Sequence, residues 1–291
     1  MLTQDVKNLD PYGRLVYFVK ERESIRLKKE SGKKKPWTDD VILQSYRFCN
    51  IRRQDDAVSR WLLENWYKPY FDHPNMVVAC VLARHFNQPS TLKAIGFPAF
   101  KGAGYWPAYV QYSLQAILKI DGTVFNGAYI IRADGKFPNK SVMVFEETCQ
   151  QFINSPPDFD FQYMEDTVNQ LQGYRNIGSF MAGQIAADLV VSVRGEWKDV
   201  NTYAPMGPGS KRGMNRIHQR VLAYPLKQDQ FLVELRELVV FLKKELPASI
   251  TKRLCMMDFQ NILCEMDKYF RCLLGEGRPK QNYEGTRNLS D

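Results

Sequence analysis

The segment Tyr203–Ile217, written YAPMGPGSKRGMNRI, is the stretch from which the fold of this chain can be argued. Gly207 and Gly209 stand one residue apart, and glycine adopts positive φ angles without strain, so the pair predicts a tight turn. Met214 and Ile217 then begin a helical spacing. A turn that opens a helix leaves backbone N–H groups unpaired at the positive end of the helix dipole, an arrangement that favours anions.

A basic motif lies in the same segment. The sequence GPGSKRG, from residue 207 to residue 213, has the Gly-x-Gly-x-Lys-x-small pattern of a helix-hairpin-helix, which grips the phosphates of a DNA backbone. It lacks the Gly-x4-Gly-Lys-Ser/Thr spacing of a Walker A loop. A turn that joins two helices and binds no ligand is the alternative. We predict a DNA-backbone contact formed by Gly207, Gly209, Ser210, Lys211 and Arg212.

The composition is that of a packed, moderately basic protein. With 291 residues and 44% apolar residues, the chain can form one large domain or two modest ones. The net charge of +8 suits a polyanionic partner, although soluble enzymes that bind no nucleic acid reach it too. No apolar stretch approaches membrane-spanning length, and the six cysteines show no CxxC spacing, which predicts a cytoplasmic protein with reduced thiols. Three dispersed histidines argue against a metal site, and none is predicted.

Hydrophobic periodicity predicts a mainly α-helical fold. Helices are expected at 10–29, 38–48, 76–86, 164–171, 177–193, 231–245 and 252–274. Residues 125–131 and 140–145 resemble two strands, which predicts a small β-hairpin insertion. The proline-rich connection at 154–160 suggests a boundary between an N-terminal subdomain, 1–155, and a C-terminal subdomain, 156–291, packed as one compact unit.

Two polar clusters are candidates for a site. Residues 46–56, YRFCNIRRQDD, place several arginines beside an asparagine and two aspartates. They can hold a diphosphate, or they can form an internal Arg–Asp network that fixes two helices. On the last predicted helix, a narrow stripe carries polar side chains, which either face a groove or face solvent with pairing between neighbouring turns. The stripe consists of Asp258, Asn261, Glu265 and Lys268, and Asp267 lies on another side.

These pieces together resemble a known family. The resemblance rests on residues 46–56, on the GPGSKRG segment, and on LCEMDKY at 263–269 with GEGRP at 275–279. It is to phage enzymes of thymine hypermodification, the α-glutamyl/putrescinyl-thymine pyrophosphorylases or amino acid:DNA transferases. A related helical domain occurs in 5-hydroxymethyluracil DNA kinases. The resemblance implies a helical architecture like that of helix-hairpin-helix DNA glycosylases.

The resemblance also implies a reaction, in which an amine donor, an amino acid or a polyamine, replaces the diphosphate on 5-hydroxymethyluracil that a kinase has pyrophosphorylated in double-stranded DNA. The chain contains no P-loop, so the kinase role itself is excluded in this interpretation. No cofactor is required, although magnesium on the diphosphate is compatible with it. The expected diphosphate ligands are Arg47, Asn50, Arg52, Arg53, Lys268 and Arg278, and the candidate general bases are Glu265, Asp258, Asp267 and Asp56, with Glu265 preferred.

Two alternatives remain. A helix-hairpin-helix DNA glycosylase would use Lys211 as its lysine and Asp229 as its aspartate, but the context of Asp229 differs from that class and no iron–sulfur cysteine cluster follows. A non-catalytic DNA-binding subunit of a base-modification complex would show salt-sensitive DNA binding without turnover.

Overall fold

The computed structural model describes residues 3–99, 106–126 and 140–279, and within these residues the elements are helices joined by loops. The α-helices are α1 (Thr3–Asn8), α2 (Pro11–Glu30), α3 (Val41–Ser45), α4 (Ala57–Leu62), α5 (Met76–Phe86), α6 (Pro89–Ile95), α7 (Trp106–Asp121), α8 (Lys140–Met143), α9 (Gln150–Asn154), α10 (Met164–Leu171), α11 (Ser179–Ser192), α12 (Pro208–Ile217), α13 (Gln228–Glu245), α14 (Ala248–Thr251) and α15 (Met256–Leu273). Short 3₁₀ or π turns extend or join them at Arg53–Asp55, Leu63–Tyr67, Lys68–Tyr70 and Val144–Cys149.

The expectation of a mainly α-helical chain is confirmed for the described residues, but the β-hairpin is not found there. Residues 140–145, expected as a strand, form α8 and the start of the π turn Val144–Cys149. Their apolar run is buried, and a short buried run has no periodicity that distinguishes strand from helix. Of the other expected strand, residues 127–131 lie outside the described ranges.

Capping groups set where the first long helices begin. Asp10 caps α2, accepting a hydrogen bond from the Gly13 backbone N–H at 2.7 Å, as the predicted helix from residue 10 requires. The next helix was expected to begin at residue 38, but Asp40 caps it instead and accepts from the N–H groups of Ile42 and Leu43. Helix α3 is consequently shorter than expected and ends at Ser45.

The structure does not show a helix-hairpin-helix at residues 203–217. Gly207 is the N-cap of α12 with extended backbone (φ −98°), Gly209 lies inside the helix, and residues 193–207 before it are not helical. The predicted tight turn is therefore wrong. The glycines serve packing instead: a Cβ at Gly209 would lie 2.3 Å from Cys264 Sγ, and one at Gly213 would lie 2.3 Å from the Leu263 carbonyl oxygen. Both allow α12 to approach α15 more closely than any side chain permits.

The chain forms two compact units. One contains Met1–Asp56 and Val200–Asp291, and the other contains Ala57–Asp199. The first unit is thus built from both ends of the sequence. The subdomain boundary expected from the sequence, between 1–155 and 156–291, stays a prediction.

The second unit has a helix buried on all sides at its centre. Every residue of α5 is buried, as its apolar sequence predicts. Arg84 of α5 forms a bidentate ion pair with Asp188 of α11, and Tyr67 donates a hydrogen bond to the same carboxylate at 2.6 Å. His85 is buried, its Nδ1 lies 2.7 Å from the Val81 carbonyl, and burial lowers its pKa to about 4, so it is a neutral core histidine at neutral pH.

The first unit has a core formed by α2, α12, α13 and α15, and one carboxylate is buried at its edge. Asp40 is fully buried and accepts hydrogen bonds from the hydroxyl groups of Tyr17 (3.1 Å) and Tyr269 (2.5 Å). This carboxylate joins α2, the start of α3 and α15. Within the described parts of the chain, no helix is long and apolar enough to cross a membrane.

Candidate functional site

The polar stripe of α15 holds the loop formed by residues 46–56. Glu265 accepts the Cys49 backbone N–H at 2.8 Å, and Asp258 accepts the Arg53 backbone N–H at 2.8 Å. Asn261 donates to the Asn50 carbonyl at 3.3 Å. The two clusters that the sequence singled out separately therefore form one site. The stripe neither faces solvent nor lines an open groove, because it is covered by the backbone of the 46–56 loop.

Arg22 of α2 holds the same loop from its other side. This buried arginine donates to the carbonyl oxygens of Phe48 and Cys49 and to the side-chain oxygen of Asn50, at 2.8–3.2 Å. Asn50 in turn donates its side-chain N–H to the Asp55 carbonyl at 2.8 Å. Arg22 was not predicted from the sequence, where it stands among many charged residues of an amphipathic helix. Its position on the apolar side of α2, between Phe18 and Ile25, was the available signal.

Three of the four candidate general bases already have structural partners. Asp258 uses both oxygens on backbone N–H groups, those of Arg53 and Cys255, and it caps the first turn of α15. Glu265, the preferred candidate, binds Lys268 Nζ at 2.6 Å as well as the Cys49 N–H, through the same oxygen. Burial alone would lower the Lys268 pKa, but Glu265 beside it reverses the effect and raises that pKa.

Asp267 is the third occupied carboxylate. It has no exposed surface, and it accepts from Arg212 and Arg216 of α12 at 2.9 and 2.8 Å. Arg271 lies 3.7 Å away on the next turn of α15. A buried carboxylate that contacts three guanidiniums has both oxygens engaged, so Asp267 fastens α12 to α15 and has no oxygen left to accept a proton from a substrate.

Asp56 differs from the other three. It ends the 46–56 loop, is half-buried, and accepts the Asn50 backbone N–H through Oδ1 at 2.8 Å. In the described residues it makes no ion pair, and Oδ2 has no hydrogen-bond donor there. Burial raises the pKa of this carboxyl to about 6, and the nearby Glu265 charge adds to the effect, whereas the Asn50 N–H, Arg22 and Arg53 oppose it. Asp56 thus has an oxygen available and a pKa close to neutrality.

The expected diphosphate ligands are not all gathered at one point. Arg52 pairs with Asp55 at 3.2 Å, and Asp55 also pairs with Arg26 and Arg253. For Arg52 this is the internal Arg–Asp network that the sequence left open. Asn50 and Arg53 anchor the loop, and Lys268 lies on Glu265 and 4.8 Å from the centre of the Phe48 ring. Arg47 is half-buried and Arg278 is exposed. Their roles as anion ligands stay predictions.

The predicted DNA-contact residues of α12 are mostly committed to packing. Ser210 is fully buried; its hydroxyl accepts the Gly207 N–H at 3.0 Å and also bonds Gln260 of α15 at 3.0 Å. Arg212 is bound to Asp267. Lys211 is half-exposed and, in the part of the chain that the structure describes, makes no ion pair. Its role as a phosphate contact stays a prediction.

Comparison with known proteins places this chain among the helical domains of 5-hmdU DNA kinases. The family profile described as "5-hmdU DNA kinase, helical domain" matches residues 11–278, and the chain belongs to that family. The 5-hmdU DNA kinase of Bacillus phage SP10 is 25% identical over 288 residues, which cover 88% of this chain and 44% of that protein. This chain thus spans less than half the length of the curated relative. No solved structure matches it.

The family match corrects the functional interpretation of the sequence. Assignment to the pyrophosphorylases or amino acid:DNA transferases is wrong, and with it the transfer of an amine to a pyrophosphorylated base. The physical reason is visible in the structure. Residues 46–56 and the polar stripe of α15 carried the resemblance, and both maintain the scaffold through loop-to-helix hydrogen bonds. A scaffold that several enzymes share does not specify their reaction.

Proposed function

We propose that this chain acts in the phosphorylation of 5-hydroxymethyluracil in DNA, and that its part is to bind the DNA and orient the hydroxymethyl oxygen. Membership of the kinase helical-domain family supports the substrate, and the net charge of +8 suits DNA. The 291 residues contain no Gly-x4-Gly-Lys-Ser/Thr sequence. The proposal for these residues therefore concerns the acceptor of the phosphoryl group and assigns them no P-loop for the donor.

The observation that carries the proposal is the available oxygen of Asp56. A hydroxymethyl group has one O–H to donate, and its oxygen attacks the terminal phosphorus of the donor as that proton leaves. Asp56 Oδ2 would accept this hydrogen bond and then the proton, while the nucleoside diphosphate departs with the electrons of the broken P–O bond. A carboxyl with a pKa of about 6 is matched to this task at neutral pH, because it is ionised yet basic enough to take the proton.

Kinases position their acceptor hydroxyl in the same chemical way, with an aspartate that receives its proton. Asp258 and Asp267 lack this capacity here because both of their oxygens accept from backbone amides or from guanidiniums. Glu265 is buried, with one oxygen held by the Cys49 amide and Lys268. They are positioning groups for the 46–56 loop and for α12. The catalytic candidate therefore changes from Glu265 to Asp56.

Equilibrium binding tests this proposal without a phosphoryl donor. Fluorescence anisotropy would compare matched duplexes that contain 5-hydroxymethyluracil or thymine at one position. The chain is expected to favour the hydroxymethyl duplex, and Asp56→Ala should reduce that preference roughly 10–150-fold, the weight of one hydrogen bond to a charged acceptor. Asp229→Ala, an exposed aspartate of α13, is the matched control. Equal binding of both duplexes by the wild-type chain would overturn the proposal.

A further inference from the structure

Residues 28–37, KKESGKKKPW, form a compact basic loop at the end of α2 that the site described above does not use. We call it the lysine loop. It contains five lysines and one acid, and that acid, Glu30, is already paired with Arg26 at 2.5 Å. Lys33, Lys34 and Lys35 are exposed. The segment thus presents an excess of positive charge that no acid within it balances.

Trp37 organises this charge. Lys28 Nζ donates to the Trp37 carbonyl at 2.6 Å, and the Trp37 indole N–H donates to the Lys33 carbonyl at 2.6 Å. The ammonium groups of Lys29 and Lys35 lie 4.5 and 5.3 Å from the centre of the indole ring. Cation–π contacts at this distance are attractive, so one side chain draws together lysines that repel each other.

The backbone of the loop is folded as well. The N–H groups of Gly32 and Lys33 donate to the carbonyls of Lys29 and Lys28, both at 3.0 Å, which closes a turn beyond the last residues of α2. Gly32 has φ +72°, a left-handed conformation that glycine adopts without strain. A solvated charge run at the surface needs neither this turn nor a central indole. The arrangement keeps the cations close together before any partner binds.

A second feature extends the basic surface along α2. An open groove of about 420 Å³ begins at Lys28 and is bordered by Lys20, Ser24 and Arg253. Its acid, Glu23, is bound by Arg26 and Arg253. The lysine loop and the groove lie in the same compact unit as Asp56. A continuous polyanion, rather than a single small anion, matches a surface with this extent.

We propose that the lysine loop binds the DNA phosphodiester backbone and sets affinity without reading the base. This inference rests on the proposed function for its substrate. Lysine ammoniums are mobile point charges that neutralise phosphates and, unlike the fork of an arginine, impose little geometry. The pre-formed cluster lowers the conformational entropy lost when DNA binds, because Trp37 already holds Lys29 and Lys35.

The test is a pair of triple variants with the same charge change. Lys33→Ser/Lys34→Ser/Lys35→Ser removes the exposed part of the loop, and Lys243→Ser/Lys244→Ser/Lys252→Ser removes three exposed lysines elsewhere in the same unit. Anisotropy titrations on hydroxymethyluracil and thymine duplexes between 50 and 200 mM KCl would give the slope of log Kobs against log salt. Each lost phosphate contact reduces that slope by about 0.9, so the loop variant should lose roughly 2–3.

The outcomes separate this inference from the proposed function. The loop variant should weaken both duplexes by the same factor and keep their ratio, and the control variant should leave the slope unchanged. A loop variant whose slope equals that of the control would overturn the inference while the preference for the modified duplex stands. Loss of that preference in the wild-type chain would overturn the proposed function even if the slopes behave as expected.

Trp37→Ala examines the organising role separately, because it keeps every charge. Weaker binding at low salt is expected, since the lysines must then be ordered by the DNA itself, and circular dichroism would verify that the helices persist. Unchanged affinity in Trp37→Ala, combined with a reduced slope in the loop variant, would overturn the role of Trp37 in the proposal.

Discussion

Replacing Gly213 by alanine tests the contact between α12 and α15 most directly. The added methyl would lie 2.3 Å from the Leu263 carbonyl oxygen and 2.9 Å from its carbonyl carbon. Both atoms belong to the backbone of a long helix, so no side-chain rotation relieves the overlap. Alanine favours a helix over glycine by about 1 kcal/mol, whereas overpacking costs about 1–3 kcal/mol and occasionally more. With so short a backbone contact the overlap cost lies at or above the upper end of that range, about 2–4 kcal/mol, and after subtraction of the helix gain we expect a net loss of about 1–3 kcal/mol.

Gly209 provides a matched comparison in the same helix. Its added methyl would meet Cys264 Sγ, also at 2.3 Å, but this atom is the end of a side chain. Gly209→Ala should therefore be destabilising alone and largely rescued by Cys264→Ala, while Gly213→Ala should not be rescued by that second change. A double-mutant cycle isolates this pairwise effect because each change removes or adds one group at the contact.

Urea unfolding followed by circular dichroism would measure these differences, and thermal unfolding would confirm them. A loss of 1–3 kcal/mol corresponds to a decrease in Tm of roughly 3–10 °C for a cooperative unit of this size. The reasoning would be refuted if Gly213→Ala were as stable as the wild type, or if Cys264→Ala rescued both alanine variants equally. Either result would mean that α12 and α15 are farther apart than the structure shows.

Three further predictions concern the buried charges. Asp267→Ala should lower the free energy of unfolding by roughly 3–5 kcal/mol, because Arg216 stays buried without this carboxylate. Glu276→Ala, at the exposed end of the same network, should lower it by less than about 1 kcal/mol, and urea titrations would measure both. Asp56→Asn should gain stability relative to the wild type as the pH rises from 4 to 7. The folded wild type favours the protonated acid because the Asp56 pKa is raised to about 6, so the wild type loses on the order of 1–3 kcal/mol as the pH rises through 6. A stability difference that does not depend on pH would contradict this. Arg84→Ala should destabilise the second unit by roughly 3–5 kcal/mol, because it leaves the Asp188 carboxylate buried without its guanidinium partner. The double variant Arg84→Met/Asp188→Leu should recover much of that loss in thermal unfolding. A double variant as unstable as Arg84→Ala would mean that the ion pair itself contributes net stability.

Periodicity in the sequence was sufficient for the helices but not for the role of the glycines. The apolar spacing placed α2, α5, α10 and α15 within a few residues of their observed bounds. The glycines near residue 207 were interpreted as a turn because a Gly-x-Gly pattern is most often local. Whether such a glycine bends the chain or admits a neighbouring helix depends on Leu263 and Cys264, which lie far away in sequence. That distinction is a tertiary property.

Of the candidate site, the polar stripe of α15 could be predicted from the sequence, but its binding partners could not. Plotting α15 at 100° per residue separated the stripe of Asp258, Asn261 and Glu265 correctly from the core side. What the stripe binds was hidden, because its partners are backbone N–H and C=O groups of the 46–56 loop, and backbone groups leave no trace in a sequence pattern. Glu265 was therefore preferred over Asp56, which is less buried than Glu265 and, in the described residues, pairs with no cation.

The division of the first unit between the two ends of the sequence governs when it can fold during synthesis. Ribosomes add about 5–20 residues per second, so α15 emerges roughly 10–40 s after the 46–56 loop. During that delay the second unit, whose residues are contiguous, can complete its own core. The backbone amides of Cys49 and Arg53 have no acceptor until Glu265 and Asp258 have been synthesised. Only a chain translated through residue 273 can assemble the loop around Asp56, because the carboxylates of Asp258 and Glu265 that hold this loop lie on α15.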